Sequence, residues 1–124
     1  MTFTNSRIVG EALTPLESRL LEILCSGAAS SIARAHLATA RWGGYEHEGC
    51  ECFLVSTTPP HDSPIIGHDG GPFSMAEVAD ETQTLGLLEL WVVDGRLHSV
   101  NYSPFGDVHS ALPTPEDHTI ALIQ

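Results

Sequence analysis

The chain has 124 residues, 42 % of them hydrophobic and 17 % charged, a balance that suits a globular fold and excludes a disordered one. Sixteen acidic residues stand against five arginines and no lysine, for a formal charge of -11. That leaves almost nothing to build the cationic face a nucleic-acid or anionic-membrane binder needs, so the charged partner to expect is basic: a cationic protein, a cationic ligand or a metal.

No apolar run approaches the ~20 residues of a bilayer span and no signal-peptide core opens the chain, so a single cytoplasmic domain is expected over 1–124. The odd set Cys25, Cys50 and Cys52 argues for reduced thiols over a disulfide framework. Residues 1–13 read as an N-terminal arm. Thr14-Pro15-Leu16-Glu17 then supplies a capping threonine, a proline for the first helical position and a glutamate three residues on. With Leu16, Leu20, Leu21, Ile23 and Leu24 at helical spacing and Gly27 as the stop, an amphipathic helix is predicted over about 15–26. Residues 28–35 fit either a helical turn or a strand lead-in. His36 to Trp42 predicts a strand, Gly43-Gly44 through Gly49 a loop, and Cys50 to Thr57 an antiparallel partner strand. The proline- and glycine-rich stretch 58–72 predicts a long loop. Phe73 to Asp80 reads as a further strand, with Ser74-Met75-Ala76-Glu77 competing as a short helix.

Asp94-Gly95 joins two β-rich runs, 87–93 and 96–102, and predicts a type I′ hairpin. Counting outward from that turn pairs Val93 with Arg96, Val92 with Leu97, Trp91 with His98, Leu90 with Ser99 and Glu89 with Val100. Alternation then puts Leu88, Leu90, Val92 and Leu97 beneath the helix, and Glu89, Trp91, Val93, Arg96, His98, Val100 and Tyr102 on the opposite face. Thr114-Pro115-Glu116-Asp117 opens a short helix on this reading, before an apolar end. The fold class expected is α+β, a helix packed on a mostly antiparallel sheet of four to five strands.

Between Arg41 and Arg96 there is no arginine, and ten acids: Glu46, Glu48, Glu51, Asp62, Asp69, Glu77, Asp80, Glu81, Glu89 and Asp94. A segment of one sign is either a solubilising surface or a patch that steers an electropositive partner. Trp91 and Tyr102 are aromatic anchors if exposed and core residues if covered. His47, Cys50, Cys52, His61 and His68 are the residues with ligand chemistry for a metal, but their spacing matches no zinc knuckle, and no metal or other cofactor is expected. Glu89 and His98 share a hairpin face and suit an acid–base pair, without a nucleophile tied to them. Gly67-His68-Asp69-Gly70-Gly71-Pro72 lacks the lysine of a phosphate loop.

The capped leucine-rich helix, followed late by Leu-Glu-Leu-Trp-Val-Val-Asp-Gly-Arg-Leu-His-Ser-Val-Asn-Tyr-Ser-Pro-Phe, resembles small bacterial α+β proteins encoded beside polymorphic toxin genes, some of them immunity proteins. The likeness covers 14–26 and 86–105 and carries no catalytic residue. It implies a cytoplasmic, non-enzymatic binder that neutralises a toxin domain, and the acidic middle suits a basic, nuclease-like one. The surface expected to meet the partner comprises Glu46, Glu48, Glu51, Asp62, Asp69, Glu77, Asp80, Glu81, Glu89, Trp91 and Tyr102. The competing readings are a small metal-dependent or His/Glu acid–base enzyme and a self-associating subunit.

Overall fold

The computed structural model describes residues 7–27, 30–46, 51–58, 64–68, 70–105 and 111–123. Helix α1 (Pro15–Leu24) starts where the sequence signals it. The Thr14 hydroxyl accepts from the Glu17 amide at 3.1 Å, and the Glu17 carboxylate accepts from the Thr14 amide at 2.9 Å. The helix stops at Leu24, and Arg34 donates to the carbonyls of Cys25 (2.7 Å) and Gly27 (3.0 Å) beyond its end. Leu20, Leu21 and Leu24 are fully buried.

The strand expected from His36 begins five residues later. Helix α2 (Ser31–His36) and a single 3-10 turn (Leu37–Thr39) come first, because Ala33 and His36, three apart, both reach the core at helical spacing. Strand β1 (Arg41–Tyr45) takes in Gly43 and Gly44, which the sequence suggests as loop. A β-carbon on Gly43 would stand 3.0 Å from the Leu54 backbone, so the close approach of β2 (Phe53–Ser56) requires glycine there. Strands β3 (Ser74–Ala79), β4 (Thr84–Val93), β5 (Arg96–Pro104) and β6 (Thr119–Ile123) complete a sheet ordered β1-β2-β5-β4-β3-β6. Every neighbouring pair is antiparallel.

The architecture is α+β with six strands, more than the four to five expected. The short helix predicted at Thr114 is a single turn, in which the amides of Asp117 and His118 both donate to the Thr114 carbonyl. The apolar end that follows is β6, paired with β3. Helix α1 lies across β3, β4 and β6, and α2 against β5, over one core that holds Phe53, Ala76, Val78, Leu88, Leu90, Leu97 and Val100. Among the described residues no element covers the opposite face of the sheet. No described helix is long and apolar enough to cross a membrane.

The hairpin turn has the predicted geometry, with φ of 54° at Asp94 and 76° at Gly95. Val93 pairs with Arg96 and Val92 with Leu97, as counted from the turn. Beyond them a bulge intervenes, and Trp91 pairs with Ser99, Leu90 with Val100, Glu89 with Asn101 and Leu88 with Tyr102. His98 is the extra residue. One added residue reverses the parity of all that follow, so Val100 and Tyr102 turn into the core instead of lying beside Trp91.

The outer rim of β1 is occupied: Gly10 donates its amide to the Trp42 carbonyl (2.8 Å) and Trp42 its amide to the Glu11 carbonyl (2.9 Å). Arg7 holds this segment down. Its guanidinium meets both oxygens of the Glu17 carboxylate at 2.8 and 2.9 Å and lies 4.0 Å from the centre of the Trp42 ring. Trp42 in turn packs edge-on against Tyr45 at 4.9 Å. At the other side of the sheet, β6 pairs on one side only among the described residues. The proline-rich loop is tied to the core by the Pro64 carbonyl, 3.0 Å from His36 Nε2, and by the Ile66 amide donating to Gly95.

Candidate binding face

Alternation along the strands decides what stands on the uncovered face. On β3, Ala76 and Val78 are buried against the helices, so Glu77 and Met75 point outward. On β4, Leu88 and Leu90 are buried, so Glu89, Trp91 and Val93 point outward. On β5 the bulge restores the same parity, and Ser99 and Asn101 stand beside Trp91 and Glu89. Glu46, just past β1, donates its amide to the Cys52 carbonyl and brings its side chain to the same area.

Glu46, Glu89, Trp91, Val93, His98, Ser99, Asn101 and Ser103 line a groove of about 380 Å³; Glu77 and Met75 stand outside it. Trp91 donates its indole N–H to the Glu89 carboxylate at 3.2 Å, which orients both side chains. Ser99 is 2 % exposed and forms the floor, its hydroxyl accepting from the Asn101 amide at 3.3 Å. Glu46 Oε1 is closed off from solvent and has no hydrogen-bond partner among the described residues. His98 stands in the groove wall with Glu89. The two share a face as expected, but the Glu89 carboxylate is engaged with Trp91, and no described hydrogen bond joins it to the imidazole.

The acidic segment is therefore divided in space. Glu46, from the β1 side, and Glu89, on β4, flank Trp91, and Glu77 stands further along the same face on β3. Asp80 and Glu81 lie in the β3–β4 turn, where Glu116, Asp117 and His118 join them around a recess of about 560 Å³. Two of those carboxylates serve their own turns. Asp80 Oδ1 accepts from the Thr82 amide, the Thr82 hydroxyl and the Gln83 amide, which holds its pKa below the ordinary value, and Asp117 accepts from the Thr114 hydroxyl at 2.8 Å. Glu51 accepts from the Leu112 amide at 2.9 Å and fastens the 111–118 segment. Tyr102 is 9 % exposed and packs in the core, and burial raises its phenol pKa; it is not a surface anchor. Glu48, Asp62 and Asp69 lie outside the described residues, as do His47, Cys50 and His61.

Of the other residues with ligand chemistry, Cys52 is buried, its sulfur accepting from the Tyr102 amide at 3.3 Å, and His68 Nε2 lies 3.0 Å from the Gly71 carbonyl. Among the described residues no three His, Cys, Asp or Glu side chains are grouped to hold a metal ion. Cys25 is buried under α1, and burial pushes its thiol up to about 12 against the weaker opposing pull of Arg34.

Only two ion pairs join described residues, Arg7 with Glu17 and the exposed Arg19 with Glu22 at 3.7 Å. The carboxylates of Glu46 and Glu89 beside Trp91 thus make no ion pair among the described residues. Arg41 and Arg96, both exposed, sit towards the hairpin-turn end of the sheet and make no ion pair among the described residues. Sequence reasoning missed the Arg7–Glu17–Trp42 cluster, whose members are too far apart along the chain for local pattern to connect them. It also missed the parity of β5, which the apolar spacing Leu97, Val100, Tyr102 does signal. Comparison with family models, curated proteins and solved structures found no match.

Proposed function

We propose that this protein is a non-enzymatic acidic binding protein that docks a basic protein on the uncovered face of its sheet. The observation that carries this reading is the groove in which Glu46 and Glu89, from distant parts of the chain, flank Trp91 with no ion pair to either carboxylate among the described residues, while Glu77 adds a third carboxylate to the same face on β3. Uncompensated carboxylates beside a half-buried indole supply long-range steering and a rigid apolar contact, the two components of a fast and specific interface. Taken with the resemblance to immunity proteins, the concrete form is neutralisation of a basic, nuclease-like toxin domain.

The test is carboxylate footprinting of the complex recovered from the native host. Reduced carbodiimide labelling at Glu77 and Glu89, with a basic partner whose association slows roughly tenfold in the E77K/E89K variant at low salt, supports the reading. Protection confined to α1 and α2, or an association rate indifferent to both charge reversal and salt, overturns it.

A further inference from the structure

Resting on the reading of this face as the docking surface for a basic protein, we propose that the groove beside Trp91 is the seat of a single arginine side chain of the partner. The indole is oriented before any ligand arrives, because its N–H is bound at its edge by Glu89 at 3.2 Å. That contact is made at the ring edge, no described ring or cation stacks on the indole, and the second Glu89 oxygen has no donor among the described residues. From the β1 side, Glu46 lines the groove, and its Oε1, closed off from solvent, has no hydrogen-bond partner among the described residues. A buried carboxylate oxygen with no donor is an unmet demand, and it is relieved when the Glu46 carboxylate turns towards a donor that a ligand brings into the groove. The floor does not compete, since the Ser99 hydroxyl and the Asn101 amide bond to each other.

The chemistry selects among cations. Carboxylates approach from two sides, Glu89 on β4 and Glu46 just past β1, with an indole beside them, so the best ligand is planar, stacks on an aromatic ring and offers donors in several in-plane directions. A guanidinium does all three, whereas an ammonium is a point charge that meets one carboxylate well and stacks poorly. The fixed indole–carboxylate contact also lowers the ordering cost of binding.

The experiment titrates the ¹⁵N-labelled protein with N-acetyl-L-arginine methylamide and follows the Trp91 indole N–H, identified by its loss in W91F. The expected result is a saturable shift with a dissociation constant on the order of millimolar, as for one side chain without its protein. N-acetyl-L-lysine methylamide binds at least about threefold more weakly, and E46Q and E89Q each weaken the arginine analogue roughly three- to tenfold. E22Q, on α1, leaves it unchanged. Both glutamines keep an acceptor oxygen in place, and E89Q retains the partner of the Trp91 N–H, so loss of fold does not explain a loss of binding. No saturable shift, equal binding of the lysine analogue, or indifference to E46Q and E89Q overturns the proposal. If the analogue fails while the partner's footprint still covers Glu77 and Glu89, the groove assignment alone falls. If it binds as expected while the footprint lies on the helices, the docking reading falls instead.

Discussion

The ring of Tyr102 lies across Gly86, with its Cε1 atom 3.0 Å from the point that a β-carbon on the glycine would occupy. The Ser103 carbonyl oxygen is 2.5 Å from that point and the Pro104 Cα 2.7 Å. Glycine here lets β5 approach and lets an aromatic ring fill the space a side chain would take. The Gly86→Ala variant must push the backbone of β5 away, at a cost of about 2–3 kcal/mol. Urea unfolding checks this, with a lowered midpoint and an unchanged slope.

Among the described residues Arg7 is the one cation paired with a buried carboxylate, since Glu17 is 4 % exposed. Removing it in Arg7→Ala leaves that carboxylate without its counter-ion and loosens the segment that caps β1, for a loss of roughly 2–3 kcal/mol. Arg7→Lys keeps the charge but loses the two-pronged contact and the stacking on Trp42, and falls between the two. Denaturant midpoints for the three proteins in that rank order are the expected result.

Deleting His98 leaves every other cross-strand pair in place, because the bulged residue is the unpaired one. The deletion variant is expected to fold with Val100 and Tyr102 still in the core, at a cost below about 1 kcal/mol. Deleting Asn101 instead reverses the face of Tyr102 and costs about 3–5 kcal/mol, the range for losing a large aromatic from a core. Thermal melts of the two variants separate the outcomes.

Alkaline pH destabilises the fold through Cys25. Its native pKa is raised by burial from 9.0 to about 12, so above the ordinary thiol value the unfolded chain sheds a proton that the native chain keeps. The contribution is complete below pH 9 and is lost progressively as pH climbs towards 12; Tyr102, also raised by burial, adds to the trend. Melting temperatures between pH 8 and pH 11 are expected to fall, and to fall less steeply in Cys25→Ala. Native Cys25 should resist iodoacetamide at pH 8 until the protein is unfolded.

What was legible in the amino-acid order was what neighbours decide. Thr14 and Glu17 sit three residues apart and close a capping box by themselves, and Asp94-Gly95 adopts positive φ because that pair tolerates it. What was not legible depends on distant partners. Thr119–Ile123 is a strand because β3 offers it a rim, and Gly43 belongs to a strand because Leu54 comes close. The site follows the same division. Glu89 and Trp91 were readable as neighbours on one face, whereas their meeting with Glu46 required the strand order. The continuous run of acids in the sequence is not one patch in space, since Asp80 and Glu81 are carried away to a turn.

Strand-by-strand growth into a filament needs a vacant rim at each side of the repeating unit. This molecule has spent one of them: the backbone of Gly10 and Glu11, secured through Arg7, already fills the hydrogen-bonding positions at Trp42. Pairing through β6 therefore terminates once two chains have met, so an exposed apolar strand can persist here without seeding a fibre.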